Sequence, residues 1–256
     1  MKIAIIQHFI RENALDWNLQ QLTGQLDQQP GADLYVLAET FATGFMAEDS
    51  TAKASEQSRR IFSWMQQQAS RLNAAVAGSV ATKDDEGRLR NRLYFVRPDG
   101  SYDYYDKRHL FGIAGETDEY VAGCRRVVVA WRGVRFLLQV CYDLRFPVFS
   151  RYRGDYDAII YVANWPSRRR DVWLTLLKAR ALENQCFVVG VNIVGSDKTC
   201  EYQGDSMVID AYGHTIASCM PGQVETAVAE LDMESLLRFR QKFPVLGDAD
   251  AFHLEP

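Results

Sequence analysis

The hydrophobic residues of this chain fall into short segments with two different periodicities. Residues 2–7 and 34–38 are nearly continuous apolar runs of strand length, which is typical of strands buried on both faces. Between them, leucines recur at steps of four, three and four and form one stripe along a predicted helix: Leu15, Leu19, Leu22 and Leu26. The same patterns predict further strands at 75–80, 157–163, 186–192 and 224–231, and helices at about 61–72, 171–184 and 233–242.

Turn signals divide the middle of the chain into hairpins. Three times, a turn that contains glycine separates two strand-like segments. These turns predict hairpins of 91–96 with 101–105, of 126–131 with 134–140, and of 207–209 with 215–217. A helix is expected to open near Phe146-Pro147, since proline is tolerated in the first turn. On the helix of 171–184, the residues expected to face inward are Val172, Leu176 and Leu177.

The order of elements predicts an α/β fold of stacked mixed sheets. Helices and strands alternate at both ends of the chain, with hairpins between them, which favours mixed sheets with helices outside. Two sheets stacked face to face, each covered by helices, would bury so many apolar strands. The expected architecture is a four-layer αββα sandwich.

Length and composition favour one domain. The chain has 256 residues, of which 47% are hydrophobic, so residues 1–256 can form one large core. We treat 243–256 as a C-terminal extension, whose apolar start either crosses a partner surface or folds back on its own domain.

Charge and hydropathy exclude several classes of protein. The net charge is −4 with both signs mixed, and the short run of arginines at 168–170 is too small for a nucleic-acid surface. Apolar segments are far shorter than the ~20 residues of a membrane-spanning helix. The N-terminal apolar run is also too short for a signal peptide, so a cytoplasmic location is expected.

The cysteines favour a single reactive thiol over a structural framework. There are five of them, an odd number, and no two have the CxxC spacing, so neither a disulfide framework nor a zinc site is expected. Most are expected to pack as small hydrophobic residues. We expect no metal and no organic cofactor.

Three side chains just past strand ends are candidates for catalysis. Cys141 follows an apolar strand on a tight turn, where nearby backbone N–H groups are expected to lower the pKa of the thiol. Glu39 ends another apolar strand and is a candidate general base, and Lys107 is a candidate for stabilising an oxyanion. Taken singly, each residue also fits a structural role: a buried cysteine, a charge at a strand end, and a solvated turn.

Together, these three residues lie in segments that resemble the signature blocks of the nitrilase superfamily of carbon-nitrogen hydrolases. The blocks are LAE at 37–39, YDKRHLF at 105–111 and VCYDLRFP at 140–147, in the family's order and at its usual separations. Further similar blocks are VANWP at 162–166 and ARALEN at 179–184. The resemblance spans residues 2 to about 232. One departure is Ala38, which stands where many members have proline, and it is expected to affect the turn only.

The resemblance implies the αββα fold, often paired as a homodimer, and a Cys-Glu-Lys amidase. Cys141 is then the nucleophile, Glu39 the general base and Lys107 the oxyanion partner, with the backbone N–H of Tyr142 as a second donor. An auxiliary glutamate of the family matches Glu116, with Glu119 as the alternative. Within the superfamily the chain looks most like bacterial ω-amidases, which hydrolyse the terminal amide of 2-oxoglutaramate and 2-oxosuccinamate through a thioester.

A substrate of this kind carries a carboxylate, which needs a cationic partner. Arg145 or one of the arginines at 168–170 can supply a bidentate contact, although Arg145 equally fits an ion pair with Asp143 or Glu183. Candidate pocket residues, each of which also fits ordinary packing, are Phe111, Asn164 and Trp165.

Three alternatives stay open at this point. The first is a Cys-His hydrolase in which His109 is the base, since it lies two residues from Lys107. The second is a catalytically silent binding protein on the same fold. The third keeps the chemistry but changes the substrate to a nitrile, a carbamoyl amine or another short amide.

Overall fold

Two six-stranded sheets form the centre of the computed structural model, which describes residues 1–45 and 54–254. In spatial order, the first sheet consists of β14 (Glu225–Glu230), β1 (Lys2–Gln7), β2 (Leu34–Val36), β3 (Ala75–Lys83), β4 (Leu89–Val96) and β5 (Tyr102–Asp106). The central β1, β2 and β3 are parallel, and the strands outside them pair antiparallel. The first strand is therefore hydrogen-bonded to the last one, with Lys2 opposite Glu230.

The second sheet repeats this arrangement. Its strands are β13 (Thr215–Ser218), β12 (Met207–Ile209), β9 (Phe187–Asn192), β8 (Ala158–Ala163), β7 (Val134–Val140) and β6 (Val128–Trp131). Again three central strands, β7, β8 and β9, are parallel and the outer strands are antiparallel. A separate two-stranded ribbon, β10 (Val194–Ser196) with β11 (Glu201–Gln203), lies beyond the end of β9.

The core lies between the two sheets and beneath the helices. Side chains of both sheets share one buried cluster, in which the rings of Phe95 and Phe136 lie 6.0 Å apart. A second cluster lies between β8 and the long helix of the C-terminal half, where Trp173 and Leu177 are buried. Gly190 makes this approach possible, because a Cβ there would lie 2.6 Å from a Leu177 methyl carbon.

The helices are α1 (Leu15–Asp27), α2 (Ala54–Leu72), α3 (Glu116–Glu119), α4 (Pro147–Ser150), α5 (Arg170–Asn184) and α6 (Met233–Lys242). The predicted leucine stripe of α1 is buried as expected. Within the described residues, no helix is long and apolar enough to cross a membrane. The predicted α/β sandwich of two mixed sheets with helices outside is confirmed.

One local prediction was partly wrong, and one element was missed. On α5, Leu177 is buried as predicted, but Val172 and Leu176 are only half-buried. Trp173 and Ala181 are buried instead, so the inward stripe is rotated relative to the prediction. The β10–β11 ribbon was not predicted, because its strands have three residues each and carry polar side chains.

The segment after α6 contacts its own domain. The carbonyl of Phe243 accepts a hydrogen bond from Gln185 Nε2 at 2.8 Å. Further along, the guanidinium of Arg153 lies 5.3 Å from the ring centre of Phe252, and Leu254 packs against the main core. Residues 255 and 256 of the expected extension lie outside the described part of the chain.

Candidate active site

The three candidate catalytic side chains follow the ends of three different strands. β2 ends at Val36, β5 at Asp106 and β7 at Val140, and the chain places Glu39, Lys107 and Cys141 shortly after them. All three line one cavity of about 460 Å³. The convergence expected from the sequence is therefore present in the fold.

Glu39 lies in a segment that stays attached to β3 after β2 has ended. Leu37 N donates to Ala77 O at 2.7 Å, and Thr40 N donates to Ser79 Oγ at 2.8 Å. Thr40 has a φ of 39°, a left-handed backbone conformation that residues other than glycine rarely adopt. The chain thus turns sharply after Glu39, whose side chain is only 1% exposed.

Cys141 occupies the first position of a 3₁₀ turn, Cys141–Arg145, directly after β7. Its φ is 45°, so the nucleophile candidate also sits in the left-handed region. The residue is half-buried. A sharp turn with the reactive group at its first residue is the arrangement expected from the sequence, and α4 begins at Pro147 as predicted.

Lys107 connects two buried carboxylates. Its Nζ lies 2.9 Å from Glu39 Oε1, and 3.0 Å and 2.8 Å from the two carboxylate oxygens of Glu116. Burial alone would lower the pKa of Lys107, but Glu39 and Glu116 outweigh it and hold that pKa well above its ordinary value. The ammonium is consequently charged over the whole physiological range.

The pKa of the Cys141 thiol is shifted in the direction opposite to the one predicted. Burial raises the pKa of Cys141 well above its ordinary value, and the carboxylate of Glu39 raises it further, while Lys107 only partly opposes them. The predicted lowering was wrong because desolvation and the Glu39 carboxylate together outweigh the Lys107 ammonium. The resting thiol is therefore protonated and needs a base to become a nucleophile.

Glu116, and not Glu119, is the second glutamate of the site. Glu116 is fully buried, and its Oε2 also accepts the backbone N–H of Phe111 at 2.6 Å. Glu119 lies on the same short helix α3 but is exposed. Glu116 therefore fixes both the Lys107 ammonium and the segment that carries Phe111.

Asn91 is a site residue that the sequence analysis missed. It lies in β4, and its Nδ2 donates to Glu39 Oε1 at 2.8 Å and to Glu116 Oε1 at 3.2 Å. The backbone carbonyl of Asn91 also accepts the N–H of Lys107 at 2.9 Å. Asn91 alternates with the buried Leu89 and Leu93 on one face of β4, and a polar residue at such an inward position was the available signal for this role.

The loop after β8 completes the surroundings of Glu39. Asn164 N donates to Glu39 Oε2 at 2.9 Å, and Asn164 Nδ2 donates to Thr40 Oγ1 at 3.0 Å. Trp165 N donates to Asn192 Oδ1 at 2.7 Å, so the end of β9 holds this loop in place. Both oxygens of the Glu39 carboxylate are therefore engaged by fixed donors.

Arginines and aromatic rings form one side of the cavity. The guanidinium of Arg145 lies 5.2 Å from the ring centre of Trp165, and that of Arg169 lies 4.9 Å from the ring centre of Phe111. Among the described residues, no carboxylate pairs with either arginine. The alternative in which Arg145 pairs with Asp143 or Glu183 was therefore wrong, since these carboxylates pair with His109 and Arg180. Arg170 points elsewhere and binds Asp205 through two hydrogen bonds.

The other predicted pocket residues also line the cavity. Phe111, Tyr142, Asn164 and Trp165 all contribute to its wall, and the rings of Phe111 and Tyr142 lie 4.9 Å apart. A further part of the wall comes from Tyr202 of β11 and from Cys200 in the loop before it, neither of which was predicted to line the site. In the part of the chain that the structure describes, no three His, Cys, Asp or Glu residues are arranged to hold a metal ion.

His109 does not point into this cavity. Its Nδ1 lies 2.7 Å from Asp143 Oδ1, and its ring stacks on Phe146 at 4.0 Å between centres. These contacts use the imidazole to bind a buried carboxylate, and they give no support to His109 as the base for Cys141.

Comparisons with known proteins agree over nearly the whole chain. A carbon-nitrogen hydrolase family model matches residues 2–241. The omega-amidase YafV of Escherichia coli K12 is 47% identical over 93% of this chain and 92% of its own length, and the 2-oxoglutaramate amidase of Bacillus subtilis is 35% identical over 85% of each. A solved carbon-nitrogen hydrolase superfamily protein from Xanthomonas campestris, XC1258, which carries an arsenic adduct in its active site, superposes with a TM-score of 0.94 at 39% identity, covering 100% of this chain and 99% of that one.

Proposed function

The chain belongs to the carbon-nitrogen hydrolase family, and we propose that it hydrolyses the terminal amide of small 2-oxo acids such as 2-oxoglutaramate and 2-oxosuccinamate. The products are the 2-oxo dicarboxylate and ammonia. Hydrolysis of amides is the activity named for the relatives that match almost the full chain. The observation that carries the catalytic part of the proposal is the placement of Cys141 in one cavity with the 2.9 Å contact between Glu39 and Lys107.

In the first half-reaction Cys141 becomes acylated. Glu39 takes the proton of the neutral thiol as the sulfur attacks the amide carbonyl carbon, because that thiol does not ionise by itself at neutral pH. Negative charge develops on the carbonyl oxygen and is stabilised by the ammonium of Lys107 and the backbone N–H of Tyr142. The C–N bond then breaks, Glu39 returns the proton to the leaving nitrogen, and ammonia departs.

In the second half-reaction water replaces the sulfur. Glu39 removes a proton from a water molecule that attacks the thioester carbon, and the same two donors stabilise the oxyanion. The C–S bond breaks and the thiol regains a proton. Glu116 and Asn91 do not exchange protons in this scheme, and they keep Lys107 and Glu39 in place.

The arginines of the cavity wall support the proposed substrate class. The carboxylate of a 2-oxo acid would lie against Arg145 and Arg169, whose guanidinium groups face the cavity without a carboxylate partner among the described residues. The guanidinium groups of these two arginines lie over the rings of Trp165 and Phe111, and both rings would pack against the short carbon chain of the substrate. A neutral amide of the same length could reach Cys141 but would leave this cationic wall unpaired.

An ammonia-release assay tests the proposal. The panel contains 2-oxoglutaramate, 2-oxosuccinamate, the neutral amides butanamide and pentanamide, and the corresponding nitriles, each with the wild-type chain and with Cys141→Ala. We expect the highest kcat/KM for the two 2-oxo acid amides, no turnover by Cys141→Ala, and an acyl adduct on Cys141 in intact-mass spectra. Ammonia release by Cys141→Ala, or none from any amide with the wild type, would contradict the proposal.

We also propose that the chain forms a homodimer, as its family resemblance implies. Sedimentation at micromolar concentration tests this directly. A single species of 29.2 kDa would contradict it.

A further inference from the structure

The carboxylate of Asp143 joins the two chain segments that carry Lys107 and Cys141. Asp143 is fully buried, and its two oxygens accept four hydrogen bonds. Two come from His109, one from Tyr105 and one from the backbone N–H of Val140. The mechanism above uses none of these groups.

The contacts on the β5 side flank Lys107. Tyr105 Oη donates to Asp143 Oδ2 at 2.8 Å, and that same hydroxyl oxygen accepts the backbone N–H of Arg108 at 3.1 Å. His109 N and His109 Nδ1 approach Asp143 Oδ1 at 3.0 Å and 2.7 Å. Asp143 therefore fixes the backbone on both sides of Lys107.

The contact on the β7 side lies next to the thiol. Val140 N donates to Asp143 Oδ2 at 2.9 Å, which closes the turn across Cys141. Cys141 holds a φ of 45° within that turn. A backbone in this region persists only where its surroundings hold it there.

The geometry points to Asp143 as a positioning residue that sets where the Lys107 ammonium lies relative to the Cys141 thiol. This inference rests on the proposed function, because it assumes that these two groups react with the substrate. Tyr105 and His109 act with Asp143 by holding the Lys107 segment. A shift of about 1 Å between reacting groups is enough to cost roughly 100-fold in rate.

Only a carboxylate can make this set of contacts. One backbone N–H, that of Val140, binds Oδ2, and another, that of His109, binds Oδ1. Asparagine has one acceptor oxygen and one NH₂ donor, so in either orientation one backbone N–H would face another donor. The isosteric substitution Asp143→Asn is therefore expected to disturb the site although it changes the side-chain volume very little.

The test compares steady-state kinetics and thiol reactivity in Asp143→Asn, Cys141→Ala and a matched control. The control is Asp157→Asn: Asp157 is also buried and also accepts a backbone N–H, that of Arg135 at 3.1 Å, but it lies outside the cavity. For Asp143→Asn we expect kcat for 2-oxoglutaramate to fall about 100-fold with KM within about threefold, and iodoacetamide to alkylate Cys141 at a changed rate. Asp157→Asn is expected to lower Tm and to leave kcat and the alkylation rate unchanged.

The outcomes separate this inference from the proposed function. Turnover by Cys141→Ala would overturn the proposed function itself. If Cys141→Ala is inactive, two results would overturn the positioning role alone. One is a wild-type kcat in folded Asp143→Asn, and the other is an equal fall of kcat in Asp143→Asn and Asp157→Asn. If Asp143→Asn does not fold, Tyr105→Phe and His109→Asn replace it in the test, since each removes one side-chain donor to Asp143. Each is expected to lower kcat about tenfold at unchanged KM. Unchanged kcat in both would overturn the inference.

Discussion

Lys107 Nζ lies 2.9 Å from Glu39 Oε1, and each of these side chains is only 1% exposed. A buried ion pair of this kind costs desolvation energy, and its stability depends on every partner being present. Here the pair also includes Glu116, so one ammonium serves two carboxylates. The arrangement keeps a base and a cation next to a neutral thiol, and most of the expected mutational effects follow from it.

Glu39→Gln is expected to abolish turnover, because glutamine cannot take the proton of a thiol whose pKa is raised. The fall in kcat should exceed about 1,000-fold. His109→Asn, in contrast, is expected to lower kcat only about tenfold, since His109 binds Asp143 rather than the thiol. Steady-state ammonia release measures both. Retained turnover in Glu39→Gln together with its loss in His109→Asn would reverse the assignment in favour of a Cys-His hydrolase.

Asn91→Leu is expected to lower the free energy of unfolding by about 2 kcal/mol, because Glu39 and Glu116 each lose a buried donor. It should also lower kcat, since the Glu39 carboxylate is then held by fewer contacts. Denaturant unfolding and steady-state kinetics check the two effects.

The control is Asn184→Leu, which removes a buried amide that binds Tyr152 N and Arg180 O outside the cavity. This variant should lose stability and keep kcat per folded molecule. Equal kcat in the two variants would show that Asn91 contributes to stability alone.

The free energy of unfolding should fall more steeply with alkaline pH in the wild type than in Cys141→Ala. The folded-state pKa of Cys141 is raised above its ordinary value, so above pH ~9 the unfolded chain releases this proton while the folded chain retains it. The unfolded state then binds fewer protons, and stability decreases as pH rises. Between pH 9 and 10 the wild type should lose about 1 kcal/mol more than Cys141→Ala.

Denaturant midpoints for the two chains at pH 7, 9 and 10 measure this difference. Parallel curves for the two chains would show that the thiol titrates alike in the folded and unfolded states.

Arg169→Met is expected to reduce kcat/KM for 2-oxoglutaramate by about 10- to 100-fold, which is the loss of one charge-assisted hydrogen bond. The same substitution should leave kcat/KM for pentanamide within about threefold, because a neutral amide has no carboxylate to lose a partner. Arg170→Met is the matched control, since Arg170 binds Asp205 and does not line the cavity. Equal losses for both amides in Arg169→Met would remove Arg169 from substrate selection.

Much of the fold could be predicted from sequence because its signals are local. The leucine stripe of α1 and the turn at Pro98-Asp99-Gly100 depend only on neighbouring residues, and both were predicted correctly. The β10–β11 ribbon carries no such signal. Its position depends on the loop from Asp197 to Cys200. The Asp197 carboxylate closes this loop by accepting hydrogen bonds from Thr199 N, Thr199 Oγ1 and Cys200 N.

The site was only partly predictable for a related reason. Glu39, Lys107 and Cys141 could be found because each follows a strand and lies in a block that resembles a family signature. Asn91 binds side chains that are 25 and 52 residues away, and Asp143 binds Tyr105 and His109, which are 38 and 34 residues away. Such separations leave no pattern in a single sequence. The pKa of Cys141 was predicted in the wrong direction because burial, the largest contribution, depends on the whole fold.

The left-handed backbone at position 141 makes different demands for stability and for turnover. Glycine adopts such a φ without steric cost, whereas every other residue pays for it, so the residue that best suits this backbone carries no reactive group. A collection of position-141 variants ranked by heat resistance would therefore favour a chain that cannot form a covalent intermediate. Efforts to make this enzyme more robust should leave that turn alone and look for gains on the outer helices.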